Sequence, residues 1–163
     1  MLRKAEKGDL PAVFRLFEQV KGELFRQGID QWDDRYPTEE DLRGDIETGS
    51  LWLKEVQGEI YGAVVLNSYC DEEYEQGAWR ETSGNFRVIH RLCVAPAYGG
   101  RGVGRQLLEE SEQLVKSWGV RSVRLDVFSQ NPPALHLYEK AGYWSTGTAD
   151  WRKGRFYLME KVL

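Results

Sequence analysis

Four glycines fall within six positions in the run Gly99-Gly100-Arg101-Gly102-Val103-Gly104, with Arg105 next. Lacking a Cβ, glycine lets backbone N–H groups converge and lets a ligand come close to the chain. The run joins a β-rich stretch, Phe86 to Val94, to a helical face made of Val103, Leu107, Leu108, Ser111, Leu114, Val115 and Trp118. The first amides of such a helix have no intrahelical partner and carry the positive end of its dipole. Together these features predict a cradle for a phosphate or pyrophosphate, with Arg101 and Arg105 adding charge at its rim. A turn that serves only tight strand–helix packing is the alternative. A nucleotide-triphosphatase loop requires Gly-Lys-Ser/Thr, which is missing here. A dinucleotide fold places its glycines in the first βα turn, whereas this loop follows a helical pair and a three-strand meander.

The elements that would position this loop can be read along the chain. Residues 2 to 5 suit a short edge strand. Asp9 reads as an N-cap with Pro11 just inside a helix whose apolar face is Val13, Leu16, Phe17, Val20 and Leu24, closed by Gly28. Thr38 with Asp41 three residues on is a variant of the capping box, and Gly49 ends that second helix. Leu51 to Val56 and Ile60 to Leu66 read as a hairpin about Gln57-Gly58-Glu59. Residues 68 to 84 are polar, aromatic and aperiodic, a loop over a site. Ser122 to Phe128 is the next strand, Pro132 to Ala141 the next helix, and Phe156 to Val162 a last strand in a tail of one or two. The order predicts a mixed α/β fold of α+β type in one domain over residues 1–163.

Composition narrows the function classes. Of 163 residues 41% are hydrophobic and 29% charged, with 22 Lys plus Arg against 26 Asp plus Glu. The net charge of −4 leaves no basic surplus to neutralise a run of phosphates, which argues against nucleic-acid binding. Apolar runs such as Ala63 to Leu66 fall far below the roughly 20 residues of a membrane span. The start, Met1-Leu2-Arg3-Lys4-Ala5-Glu6, has no apolar leader core. Cys70 and Cys93 form neither a metal-ligand spacing nor a disulfide framework. The expectation is a cytoplasmic, metal-free protein, monomer or homodimer, that binds neither nucleic acid nor membrane.

Two motifs carry a resemblance. Gly99-x-x-Gly102-x-Gly104 is similar to the Arg/Gln-x-x-Gly-x-Gly/Ala signature of the GNAT superfamily of N-acetyltransferases, with Gly99 in place of the usual Arg or Gln. Asn131-Pro132-Pro133-Ala134-x-x-x-Tyr138-x-x-x-Gly142-Tyr143 resembles that family's Asn-x-x-Ala-x-x-x-Tyr-x-x-x-Gly-Phe segment. Element order extends the likeness over nearly the whole chain. The resemblance implies a mostly antiparallel central sheet flanked by about four helices, with a splayed strand before the glycine loop. It implies acetyl transfer from acetyl-CoA to an amine. The cofactor would lie along Leu92, Cys93 and Val94 and over Gly99, Gly100, Arg101, Gly102, Val103, Gly104 and Arg105, with Asn131 and Tyr138 nearby.

Acetyl transfer needs the thioester held, the amine deprotonated, the oxyanion given donors and the thiolate protonated. By the same resemblance the amide of Leu92 would face the thioester oxygen and Val94 would bond the pantetheine arm, though both also suit plain strand core. Tyr138 falls where the family often places a tyrosine near the sulfur. A phenol with an ordinary pKa of about 10 can protonate a departing thiolate; ordinary aromatic packing is the alternative. Asn131 either contacts the cofactor or caps the helix at Pro132. The family's usual basic Glu is replaced by Val88, and His90, two residues on and on the same face, would be the base or would order the loop. His136, between Leu135 and Leu137, suits packing or the surface.

The acceptor side implied by the resemblance draws on Gln31 to Pro37, Glu73-Tyr74, Trp79 and Trp151 to Phe156. Trp32, Tyr36 and Trp79 would hold a cationic amine by cation–π contact, or would simply cap the surface. The expected acceptor is a small-molecule primary amine attacked directly in a ternary complex. A protein or peptide N-acetyltransferase and a non-catalytic CoA-binding sensor are the alternatives.

Overall fold

The computed structural model describes residues 1–163. Seven strands, mostly antiparallel, and four helices make an α+β fold. The chain packs as two compact units, residues 1–66 with 91–111 and residues 67–90 with 112–163.

The first unit contains β1 (Arg3–Lys4), α1 (Leu10–Arg26), α2 (Glu39–Glu47), β2 (Leu51–Val56) and nearly all of β3 (Glu59–Asn67). It also holds the second half of β4 (Phe86–Val94) and the start of α3 (Val103–Ser117). The local signals work as the sequence predicts. Thr38 Oγ1 accepts from the Asp41 amide at 3.1 Å while Asp41 accepts from the Thr38 amide at 2.8 Å, which opens α2. The β2–β3 hairpin turns on Gln57 (φ 50°) and Gly58 (φ 80°), the two left-handed residues of a type I′ turn. Val13, Leu16 and Phe17 of α1 bury against Leu42, Leu51, Leu53, Val65 and Cys93.

Asp9 departs from its expected use. It directly precedes α1, yet its carboxylate does not cap that helix. Instead it accepts both Arg3 guanidinium bonds at 2.9 Å and the Glu6 amide at 2.7 Å. A charged fork on a two-residue strand outcompetes a neutral cap, because charge-assisted bidentate bonds are the stronger ones. The Arg3 bond holds the Asp9 carboxyl below its ordinary value.

The second unit holds the first half of β4, β5 (Ser122–Phe128), α4 (Pro132–Lys140), β6 (Trp144–Trp151) and β7 (Gly154–Val162). β4 and β5 run parallel for three rungs, the last being Val88↔Arg124, whereas β5 pairs with β7 along its whole length. β6 was not delimited by sequence; its polar, glycine-containing run becomes a strand by pairing with β7. A Cβ on Gly147 would lie 2.9 Å from the Gln76 carbonyl oxygen, so this strand lets the 68–84 segment lie directly on it. The Ala78 amide bonds the Thr146 carbonyl there at 2.9 Å. The 68–84 loop also contains a 3₁₀ turn, Glu72–Gln76. Trp118, expected on the apolar face of α3, is 42% exposed, because the helix stops at Ser117 and turns through Gly119.

Glu160 on β7 is fully buried and satisfied. Its carboxylate accepts from the Arg80 amide at 2.7 Å, the Glu81 amide at 3.0 Å and Ser122 Oγ at 2.8 Å. It ties the far end of the 68–84 loop to β5 and β7. Glu160→Gln turns one acceptor into an NH2 group facing donors, and should cost about 1–3 kcal/mol in urea unfolding. Unchanged stability would show that the loop is held by its aromatic packing alone.

Candidate functional site

In the first unit β4 leads directly into the glycine loop. Cys93 and Ala95 are buried, and Leu92 and Val94 are half-buried. Burial pushes the Cys93 thiol up, so it stays protonated and serves as core. The Ala95 amide donates to the Tyr61 carbonyl at 2.8 Å, and a short turn, Pro96–Tyr98, follows. Tyr98 stacks on Tyr61 with ring centroids 4.6 Å apart, which gives the loop a rigid floor. Gly100 (φ 71°) and Gly102 (φ 76°) are left-handed, with no atom within 4 Å of where a Cβ would stand. The Gln106 amide bonds the Gly102 carbonyl at 3.0 Å, which makes Gly102 the N-cap of α3. The amides of Val103, Gly104 and Arg105 are therefore the orphan donors of its first turn. Arg101 lies over the Tyr98 ring at 5.7 Å, and Arg105 makes an exposed pair with Glu109 at 2.8 Å. Such a pair is weak, so the Arg105 guanidinium is only loosely held beside the start of α3.

Sequence reading missed Arg91, the residue between His90 and Leu92. Its φ of 51° is left-handed, and it kinks β4 just before the predicted thioester donor. Its guanidinium forks onto Asp45 of α2 at 2.6–3.0 Å and donates to Tyr36 Oη at 2.5 Å. Tyr36 is thereby tied to β4, while Trp32 packs against Phe17 at 5.5 Å in the core. Burial raises the Asp45 carboxyl above its ordinary value, and Arg91 offsets part of that rise.

In the second unit His90 Nε2 lies 2.8 Å from Asn67 Oδ1. That oxygen also accepts from the Tyr69 amide at 3.0 Å, which fixes it as the carbonyl side of the Asn amide. Neutral His90 therefore carries its proton on Nε2, and any proton it takes up goes to Nδ1. Tyr74, buried in the 68–84 loop, donates to Asp126 Oδ2 at 2.6 Å. Burial, then Asp126, pushes the Tyr74 phenol well above its ordinary value and keeps it a donor. Trp79 is engaged in this packing: its Nε1 donates to the Tyr74 carbonyl at 2.7 Å and its ring lies 4.3 Å from the Arg124 guanidinium. The same guanidinium lies 3.8 Å from the centre of the Phe86 ring.

Asn131 caps α4, its Oδ1 accepting from the Ala134 amide at 3.2 Å. Tyr138 is buried on α4 and meets Tyr143 edge-on at 5.8 Å. Tyr143 in turn donates to Glu112 at 3.0 Å, and Lys161 holds the other Glu112 oxygen at 2.7 Å. His136 lies on the same helix. Arg91, Asp45, Asn67 and Asp126 escaped sequence reading, because each acts through a partner distant in the chain.

Removing one member of a buried ion pair strands the other charge. Asp45→Ala should therefore cost about 3–5 kcal/mol in urea unfolding, whereas Tyr36→Phe, losing one hydrogen bond, should cost about 1 kcal/mol. Equal costs would mean that the fork does not hold the kink.

The model of the acetyltransferase (GNAT) family matches residues 15–143. The L-methionine sulfoximine/L-methionine sulfone acetyltransferase of Salmonella typhimurium is 26% identical over 148 residues, 89% of this chain and 80% of that protein. A GNAT-family acetyltransferase of Streptococcus agalactiae has the same fold, with a TM-score of 0.87 at 23% identity over 100% of this chain and 95% of that one. The PaiA N-acetyltransferase of Thermoplasma acidophilum, solved in complex with coenzyme A, aligns with a TM-score of 0.74 at 20% identity, covering 100% and 98%. With the family model spanning both the glycine loop and the Asn131–Tyr143 segment, the chain belongs to the GNAT acetyltransferase family.

Proposed function

We propose that the chain, as one acetyltransferase domain over residues 1–163, moves the acetyl group of acetyl-CoA to a small-molecule primary amine by direct attack in a ternary complex. The observation that carries this reading is the N-terminus of α3, where Gly100 and Gly102 are left-handed and three orphan amides follow. These residues fit a pyrophosphate: the space beside Gly100 and Gly102 is open to 4 Å, and Arg101 and Arg105 belong to the same short loop and first helical turn. Bound there, acetyl-CoA supplies an activated acyl carbon and a thiolate leaving group. The coenzyme A bound by the Thermoplasma acidophilum protein is consistent with this reading.

Each residue then has a task. The amides of residues 100 to 105 hold the diphosphate. Leu92 N–H polarises the thioester oxygen, Val94 bonds the pantetheine arm, and Cys93 anchors the strand between them. Asn131 fixes the start of α4, which carries Tyr138 to protonate the leaving sulfur. His90, with Nε2–H given to Asn67, accepts the amine proton on Nδ1. Tyr36, held by Arg91, and Trp32 border the acceptor, with Trp79 as a packed wall. The small-molecule acceptor is favoured by the Salmonella typhimurium relative, which is named for amino-acid analogues and matches over 89% of this chain.

Gly104 lies in the first turn of α3, where a branched side chain would obstruct a diphosphate. Gly104→Val, folded by circular dichroism, should lose roughly tenfold or more in acetyl-CoA affinity by calorimetry, the worth of one charged hydrogen bond. Wild-type affinity in that variant would place the diphosphate elsewhere. Tyr138→Phe should lower kcat about 100-fold with acetyl-CoA affinity unchanged. Full turnover, measured where chemistry limits the rate, would make Tyr138 a packing residue only.

A further inference from the structure

Two residues other than glycine have left-handed backbones, Gln57 (φ 50°) and Arg91 (φ 51°). Gln57 sits in the β2–β3 turn, where the turn type demands that conformation. Arg91 sits inside β4, where no turn demands it and where glycine would adopt it without strain. A bulky residue persists in such a conformation only when its surroundings over-determine it. Here they do. The Arg91 guanidinium gives Nη2 to Asp45 Oδ1 at 2.6 Å and Oδ2 at 2.7 Å, and Nε to Oδ2 at 3.0 Å. Its Nη1 donates to Tyr36 Oη at 2.5 Å, so all three nitrogens are engaged. Only 14% of the Arg91 side chain and 12% of the Asp45 side chain are exposed. Asp45 is itself fixed, because its backbone carbonyl accepts the Ser50 amide at 2.9 Å and ties the end of α2 to the residue before β2.

The peptide unit after Arg91 carries the N–H of Leu92, because one rigid plane joins the Arg91 carbonyl to that amide. The direction of this plane relative to the Arg91 Cα turns on a single dihedral, ψ of Arg91. We propose that Arg91 is a positioning residue, whose fork onto Asp45 aims the Leu92 N–H at the thioester oxygen. This rests on the acetyltransferase reading above, in which that amide is the oxyanion donor. A donor contributes to catalysis when it is already aimed where charge develops, before the reaction begins. Glycine at position 91 would suit the backbone but leave the plane free to turn. Arginine accepts the strain and fixes the direction through its buried fork. Lysine cannot replace it, since an ammonium is a point charge without a planar fork.

The test uses the full chain with acetyl-CoA carrying carbon-13 at the thioester carbonyl. The infrared stretch of that carbonyl falls when its oxygen accepts a hydrogen bond, and calorimetry reads affinity in parallel. The wild-type band should lie below that of free acetyl-CoA. Arg91→Gly suits the left-handed backbone, and Asp45→Asn keeps the shape of the fork without its charge. Both should move the band back toward the free position, as should Arg91→Lys. Both should bind acetyl-CoA within about fivefold of wild type, the worth of one ordinary hydrogen bond. Tyr36→Phe leaves the fork intact and should leave the band in place. A low wild-type band that stays low in Arg91→Gly and Asp45→Asn would overturn the role of Arg91 and leave the Leu92 donor standing. Loss of affinity far beyond fivefold in both would make the fork a brace for the whole binding surface, and would overturn the proposal too. A wild-type band at the free position would overturn the Leu92 donor and the proposal with it. Failure of the wild type to bind acetyl-CoA would instead overturn the acetyltransferase reading itself.

Discussion

The left-handed backbone at Arg91 is the constraint on which the rest of the site depends. For an L-residue other than glycine this conformation costs about 1–2 kcal/mol, and here it falls inside a nine-residue strand. The fork onto Asp45 and the bond to Tyr36 offset that cost, Asp45 being carried by α2 and Tyr36 by the segment leading to it. The consequence is a strand that changes role partway. Before the kink, Val88 belongs to the core of Tyr74, Ala149 and Leu158. After it, Cys93 and Ala95 belong to the core of Phe17, Leu42 and Leu53.

The same economy governs the carboxylates. Glu160, Asp45 and Glu112 are buried, and each meets donors that use its charge: backbone amides and a hydroxyl, a guanidinium, a phenol with an ammonium. These pairs tie segments far apart in the chain and specify how loops lie on strands. A buried charge with its partners in place adds little net stability but penalises every arrangement that separates them. Asp126 is less deeply buried, and the Tyr74 phenol it accepts ties the 68–84 loop to β5 in the same way.

What was legible in the sequence is what is encoded locally. The Thr38–Asp41 box, the Gln57-Gly58 turn, the bounds of β4 and β5 and the Asn131 cap each depend on residues within a few positions of one another, and each stands where the pattern puts it. The glycine loop was legible for the same reason. The failures share a different cause. Asp9 precedes its helix as the pattern puts it, but its carboxylate goes to Arg3, a partner that also reaches Glu55 across 52 positions and that no local signal announces. Trp118 matched the helical period but lies one residue past the helix end. β6 has no strong β pattern and exists because β7 pairs with it. Arg91 with Asp45, Tyr74 with Asp126 and Arg80 with Glu160 join residues 46, 52 and 80 positions apart, separations that leave no periodic trace.

The central point of the proposed function is that one continuous stretch, from the left-handed Arg91 through the first turn of α3, holds the cofactor by backbone groups at both its reactive and its charged ends, with Arg101 and Arg105 beside the diphosphate. A crystal structure of the chain with acetyl-CoA tests this most directly. The account predicts the diphosphate on the amides of residues 100 to 105 and the thioester oxygen within hydrogen-bond distance of Leu92 N. A diphosphate bound away from the start of α3, or a thioester remote from Leu92, would contradict it.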